Sequence, residues 1–320
     1  MIKLQRIILN RGPIAFLLRK SRNWYLPGFE GMPFYDVLAF FRRQVKTQGL
    51  TERAAAISYN FVMALPPSFL FLFSLLPNLP FISKSSIKIQ LHSLIYDMIP
   101  ARGYNKSVID FVDSFIDDSK LGLLSFGLLL SLFFASNAMM GIMRSFNKNY
   151  LGFETRKGLE KRWIAIRLTI ILFTLLILYI LLLIMQGAFL KLIVTSGSWR
   201  QVILYTRWVL IILLLFFAIG FIFRYAPSVQ KRWKLTSPGA ILATALCIMA
   251  SLGFSAFVNN FGRYNALYGS IGTIMMVMAL IFINSLALLI GFELNVSIKS
   301  LRSMATKKAE MEARVNKNRL

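Results

Sequence analysis

The stretch IAIRLTIILFTLLILYILLLIMQGAFL, from Ile164 to Leu190, carries a single charge, Arg167, near its start. A helix of roughly 20 apolar residues crosses a hydrocarbon layer of about 30 Å. Lipid offers backbone groups no hydrogen-bond partners, so such a run must be an α-helix that satisfies them internally. Five further runs share this character: Ala54 to Leu76, Leu121 to Met143, Val202 to Phe223, Pro238 to Val258 and Leu267 to Leu294. The period-two alternation of a membrane barrel is absent. Only 16% of the 320 residues are charged and 57% are hydrophobic, with a mean hydropathy of +0.62. Soluble domains carry about 25% charged residues. The sequence therefore reads as an all-α, polytopic membrane helical bundle of about six transmembrane helices.

The net charge of +24 suggests a nucleic-acid partner until its distribution is followed. Lys and Arg number ten up to Arg53, six from Arg144 to Arg162, four from Arg224 to Lys234 and seven from Lys299 onward. The alternate segments hold five, three and one. This alternation marks membrane topology and places both termini on the cytoplasmic side. Membrane lipids, with anionic headgroups against the basic cytoplasmic loops, are the expected partners. No specific nucleic acid, no cofactor and no oligomeric state is specified.

Outside the spans, residues 1–53 form a basic cytoplasmic segment. Within it, Phe34, Val37, Leu38, Phe41 and Val45 fall on one helical face after Pro33. Two readings stand side by side: a helix on the membrane surface, or one packed under the bundle. Residues 54–298 make the membrane domain. Its longest loop, 77–120, holds two amphipathic stretches read as a small helical cap on the outer surface. Residues 299–320 are a basic cytoplasmic tail. Pro66 and Pro67, adjacent in the first span, should kink or break that helix, because each removes a donor and crowds the preceding turn.

The residue types needed for catalysis are scarce. One cysteine, Cys247, and one histidine, His92, stand far apart in the chain, which excludes a zinc centre built on Cys and His and makes a thiol or serine triad improbable. Asp110, Asp113, Asp117 and Asp118 form the acidic cluster, read as a solvated helix face rather than a metal site. The chain is therefore expected not to be an enzyme.

A charge inside a membrane needs a partner or a purpose. Glu293, in the string GFELN that ends with Asn295, is the clear case. Glu52 and Arg53 lie at a similar depth on the first span. Glu293 is thus either a coupling carboxylate or the ion-pair partner of Arg53, with the pairing favoured. Asn60 is a polar group toward the cytoplasm from the two prolines. A second candidate site is the outer hairpin, with Asn260, Arg263, Tyr264, Asn265, Tyr268 and Gly269. There Arg263 could hold an anionic headgroup, or the tyrosines could belong to the interfacial belt. Small residues at Gly127, Ser131 and Ala135, and at Gly239 and Ala243, read as close-packing surfaces. Possible cargo, given polar groups beside apolar walls, is a lipid-like or amphiphilic molecule. The alternative is a non-transporting scaffold that recruits partners through its basic loops and outer cap.

The strings LTERAAAISYNFVMALPPSFLFLFSLLP (Leu50 to Pro77), RSFNKNYL (Arg144 to Leu151), SPGAILATALCIMASLGFSAFVNNFGRYNALYGSIGTI (Ser237 to Ile274) and GFELN (Gly291 to Asn295) carry a resemblance. Together they resemble the YihY/BrkB family of bacterial inner-membrane proteins, from about Gln44 to Ile298. The resemblance implies six spans and a plasma-membrane location. The family has carried a ribonuclease BN label, which these residues do not support, and a suggested role in envelope lipid transport. No catalytic residue carries across.

The charge asymmetry makes a direct prediction. In a Cys247→Ser background, a cysteine at Ser119 should react with an impermeant thiol reagent added outside the cell, and one at Ser303 should not. The reverse pattern would invert the orientation.

Overall fold

A computed structural model of the chain describes residues 24–75, 84–98, 102–117, 121–147, 158–193, 199–229, 232–260 and 264–317. The described elements are helices: α1 (Phe34–Thr47), α2 (Leu50–Leu75), α3 (Lys84–Met98), α4 (Arg102–Asp117), α5 (Leu121–Phe146), α6 (Gly158–Ile193), α7 (Trp199–Tyr225), α8 (Pro238–Asn260) and α9 (Tyr264–Lys317). Six of them, α2 and α5 to α9, are long and apolar enough to cross a membrane. They stand in a ring in which each touches its two neighbours, in the order α2, α5, α6, α7, α8, α9 and back to α2.

The ring is filled at the end where α1 lies. There Ala54 and Ile57 of α2 meet Met139, Ile142 and Phe146 of α5, Ala165 and Leu168 of α6, and Ile222 and Phe223 of α7. Ala240, Ala243 and Cys247 of α8 and Leu289, Phe292 and Val296 of α9 complete this core. Toward the opposite face the packing thins. From Ile248 to Val258 on α8 and from Ile274 to Asn284 on α9, no side chain is buried.

Two helix pairs interlock because they lack side chains where they cross. A Cβ on Gly291 would lie 2.4 Å from the Gly239 carbonyl oxygen and 2.6 Å from the Ala243 Cβ. A Cβ on Gly127 of α5 would lie 3.2 Å from the Phe71 backbone of α2. Without a hydrophobic force between helices in lipid, such backbone approach is a main source of association. The small residues singled out in the sequence are therefore packing surfaces, with Gly127, Ser131, Gly239 and Ala243 all buried.

The structure bears on three expectations. Of the two outcomes expected of the double proline, a kink or a break, the break does not occur: α2 is continuous through Pro66 and Pro67. The prolines withdraw donors only from the carbonyls one turn back, and the flanking turns continue. The pair α3–α4 is helical as expected, but it does more than cap the surface. Leu91, Val112 and Ile116 pack against Tyr179 and Ile180 of α6, with Leu210, Ile211 and Leu214 of α7 beside them. The amphipathic pair thus buries its apolar face against α6, and α4 also touches α2. Its acidic stripe is also not wholly solvated, since Asp113 lies 2.9 Å from His92 Nε2 and 3.7 Å from Lys88 Nζ. Finally, α9 runs unbroken past residue 299 to Lys317, so the basic tail extends the last span as one helix.

Of the two readings for α1, the packed one describes the contacts. Val37 is fully buried, and with Phe29 and Phe34 it covers Leu294, Ile298 and Leu301 of α9. The Phe34 N–H donates to the Trp24 carbonyl, and Arg302 pairs with Glu30 at 2.7 Å. Gly49, at φ +58°, reverses the chain from α1 into α2.

Gly291→Val should destabilise the detergent-solubilised protein by about 1–3 kcal/mol through overpacking, read as a lower unfolding temperature. Gly253→Ala, with nothing within 4 Å of its Cβ, should be neutral or slightly stabilising. Equal effects would refute the close crossing.

Candidate functional site: a buried ion pair at the α1 end of the bundle

The first turn of α2 delivers Arg53, and α9 delivers Glu293, 240 residues later. Arg53 Nη1 donates to Glu293 Oε1 at 2.5 Å, and Arg53 Nη2 donates to the Ser145 carbonyl oxygen at 2.5 Å. Arg53 is 6% exposed and Glu293 0%. One guanidinium thus holds the start of α2, the last turn of α5 and the interior of α9 together. Its planar fork suits this, because two donors point in fixed directions at once. The burial of each charge is tolerable only with the other present. Ser297 Oγ adds a bond to the Glu293 carbonyl oxygen at 2.7 Å.

Against this pair lies an aromatic cluster. Phe146 and Phe292 are stacked with centroids 3.9 Å apart and planes within 2°. Phe223 meets both edge-on, at 5.8 and 6.1 Å, and Trp233 meets Phe292 at 5.7 Å. Each ring sits beside a polar anchor in sequence: Phe146 follows Ser145, and Phe292 precedes Glu293. The dry surroundings strengthen the ion pair, since attraction scales inversely with the local dielectric.

Asn295, one helical turn beyond Gly291, serves another purpose. Its Oδ1 accepts the Gly239 N–H at 2.8 Å, and its Nδ2 donates to Ser237 Oγ at 2.9 Å. The first N–H groups of α8 have no partner within their own helix, and a side chain of α9 satisfies one of them. Pro238 starts that helix, where its missing N–H costs nothing. Nearby, Asn147 Oδ1 accepts from both the N–H and the hydroxyl of Ser228, at 3.0 and 2.9 Å, which ties the α7–α8 loop to the end of α5.

The other candidates are placed apart. Glu52 is exposed. Asn60 donates to the Ala56 carbonyl oxygen at 2.7 Å, and its side chain lies against Gly141 in the α2–α5 contact. Pro66 is exposed and Pro67 half-buried. In the outer hairpin, Arg263 lies outside the described residues. So do the side chains of Asn260, Tyr264, Asn265, Tyr268 and Gly269, whose backbones end α8 and begin α9. Among the described residues no three His, Cys, Asp or Glu side chains come together as metal ligands would. Sequence reasoning missed Ser145, Asn147, Ser228 and Trp233. A backbone carbonyl acceptor leaves no trace in a sequence, and Trp233, between Arg232 and Lys234, sits in a loop of surface composition.

Fold and site define an integral, multi-pass α-helical membrane protein. The chain belongs to the family whose sequence model is described as "Virulence factor BrkB", the BrkB/YihY family, which it matches over residues 41–317. Among curated relatives, the ribonuclease-like protein YfkH of Bacillus subtilis is 30% identical over 254 residues, covering 76% of this chain and 88% of YfkH. A UPF0761 membrane protein of Chromohalobacter salexigens is 26% identical over 251 residues, 76% of this chain but only 58% of that longer protein. A UPF0761 membrane protein of Pseudoalteromonas translucida is 28% identical over 100 residues, about a third of each chain. No solved structure matches.

Arg53→Gln and Glu293→Gln should each destabilise the protein by on the order of 3 kcal/mol. The double variant should cost clearly less than the sum, read from unfolding temperatures in detergent. Strict additivity would mean that the two groups sense separate environments.

Proposed function

We propose that this protein moves a lipid-like or other amphiphilic envelope molecule across a bacterial inner membrane, with both termini in the cytoplasm. The carrying observation is the uneven filling of the ring. At the α1 end the ion pair and the aromatic cluster close it. Toward the opposite face, α8 and α9 bury no side chain over about three turns each. A ring closed at one end, with a loosely packed α8–α9 flank at the other, fits a protein that admits a molecule from one side.

The chemistry of the loosely packed half suits an amphiphile. Leu252, Phe257, Met275 and Met278 are exposed apolar groups, while Ser251 lies beside Asn284, whose Nδ2 is 3.4 Å from Ser251 Oγ. An apolar wall with few polar groups accommodates a polar head and a greasy tail. The proposed movement uses the two interlocked pairs, α2–α5 and α8–α9, as units. They meet at the Arg53–Glu293 pair and the Phe146–Phe292 stack, so separating those contacts would open the closed end. On this reading the basic residues of the α1 face lie against anionic headgroups. A scaffolding role is the second reading, favoured by the α9 extension: Met304, Met311 and Val315 are exposed on a projecting helix that a partner could grip.

Purified protein in vesicles should speed the passage of a labelled phospholipid between leaflets. Ser255→Trp, in the loosely packed half, should slow it, whereas Leu178→Trp on the exposed side of α6 should not. Passage no faster than in protein-free vesicles, from a folded preparation, would favour the scaffold.

A further inference from the structure

Two arginines converge on one tyrosine where α7 ends. The Arg224 guanidinium carbon lies 5.6 Å from the centroid of the Tyr225 ring, and that of Arg232 lies 5.2 Å from the same centroid. The two cations are therefore no more than about 11 Å apart. Neither has a carboxylate partner among the described residues. Arg224 also turns a buried Nε inward with no hydrogen-bond partner.

The convergence is built by the fold. Arg224 follows Phe223, which is locked in the core, and Arg232 precedes Trp233, which is buried against Phe292. Between them Ala226 and Val229 are buried, and Ser228 is held by Asn147. The Leu235 carbonyl oxygen would lie only 2.9 Å from a Cβ at Gly220, so the loop folds back closely onto α7. Phe221 stacks on Tyr225 at 6.1 Å and steadies the ring. The fold thus fixes the backbone that carries both arginines beside Tyr225. Two like charges held close together at a membrane boundary repel each other, and an anion accepting from both removes the repulsion. Guanidinium groups present paired N–H donors that match the oxygens of a phosphate.

We propose that Arg224 and Arg232, arranged around Tyr225, form a binding site for a phosphate-bearing anion. The site lies at the end of a span, at the depth where phospholipid headgroups stand, so an anionic headgroup and a free phosphate share the required chemistry. The inference concerns binding at equilibrium and does not depend on the transport reading.

The test is native mass spectrometry of the purified, detergent-solubilised protein titrated with phosphatidylglycerol, phosphatidylcholine or inorganic phosphate. The wild type should retain phosphatidylglycerol in preference to phosphatidylcholine. Arg232→Gln, an exposed position outside the core, should weaken the first phosphatidylglycerol about tenfold, as expected for losing one charge-assisted contact. Arg232→Lys should fall between the two. Displacement of phosphatidylglycerol by millimolar inorganic phosphate would support the site with a soluble anion as ligand. Resistance to displacement would support it with the lipid headgroup. Equal phosphatidylglycerol affinity in the wild type, in Arg232→Gln and in a folded Arg224→Gln/Arg232→Gln double variant would overturn the proposal.

Discussion

A charged side chain buried among membrane helices has few places to go, and this constraint organises the structure. Arg53 and Glu293 come from opposite ends of the membrane domain in sequence. Burial makes each unfavourable alone and favourable together. Because Arg53 also takes the Ser145 carbonyl, the pair sets the relative height of α2, α5 and α9. The Phe146–Phe292 stack follows from that height, since each ring is the chain neighbour of a fixed polar group. Trp233 and Phe223 then fill the remaining space. The result is a dry plug at one end of the ring.

Around that plug the bundle divides by strength of contact. The α8–α9 pair is joined by bare backbone at Gly239 and Gly291 and by the Asn295 cap. The α2–α5 pair is joined through Gly127 and Gly141. These contacts are short-range and unforgiving of added volume. At the opposite face α2 and α5 stay in contact through Gly127 and Phe71, whereas α8 and α9 have little to hold them and exposed Leu, Phe and Met side chains prevail. The α3–α4 pair packs against α2 and α6, which explains how a loop with two marginal amphipathic helices finds a fixed place.

Parts of the strings that carry the family resemblance meet at the α1 end of the bundle. LTERAAAISYN supplies Arg53, RSFNKNYL supplies Ser145, Phe146 and Asn147, SPGA supplies Ser237 and Gly239, and GFELN supplies Gly291, Phe292, Glu293 and Asn295. Those parts knit one end of the bundle. That gives the resemblance a physical basis in architecture, and it separates family membership from any particular activity.

The sequence by itself determined the number of spans and their helical nature, because lipid allows no other backbone solution for runs such as Ile164 to Leu190. It also singled out Glu293 and Arg53 as groups needing partners, since intramembrane charge is costly wherever it falls. The close-packing glycines were legible as small residues at helical spacing. Tertiary structure alone decided what each met: Gly239 crosses Gly291, Asn295 caps α8 and Ser145 offers a carbonyl. It decided that α2 continues through Pro66 and Pro67 and that α3–α4 packs against α2 and α6. Local composition sets whether a segment lies in lipid. Which helix lies beside it depends on contacts between residues hundreds of positions apart, and those have no periodic signature in the chain.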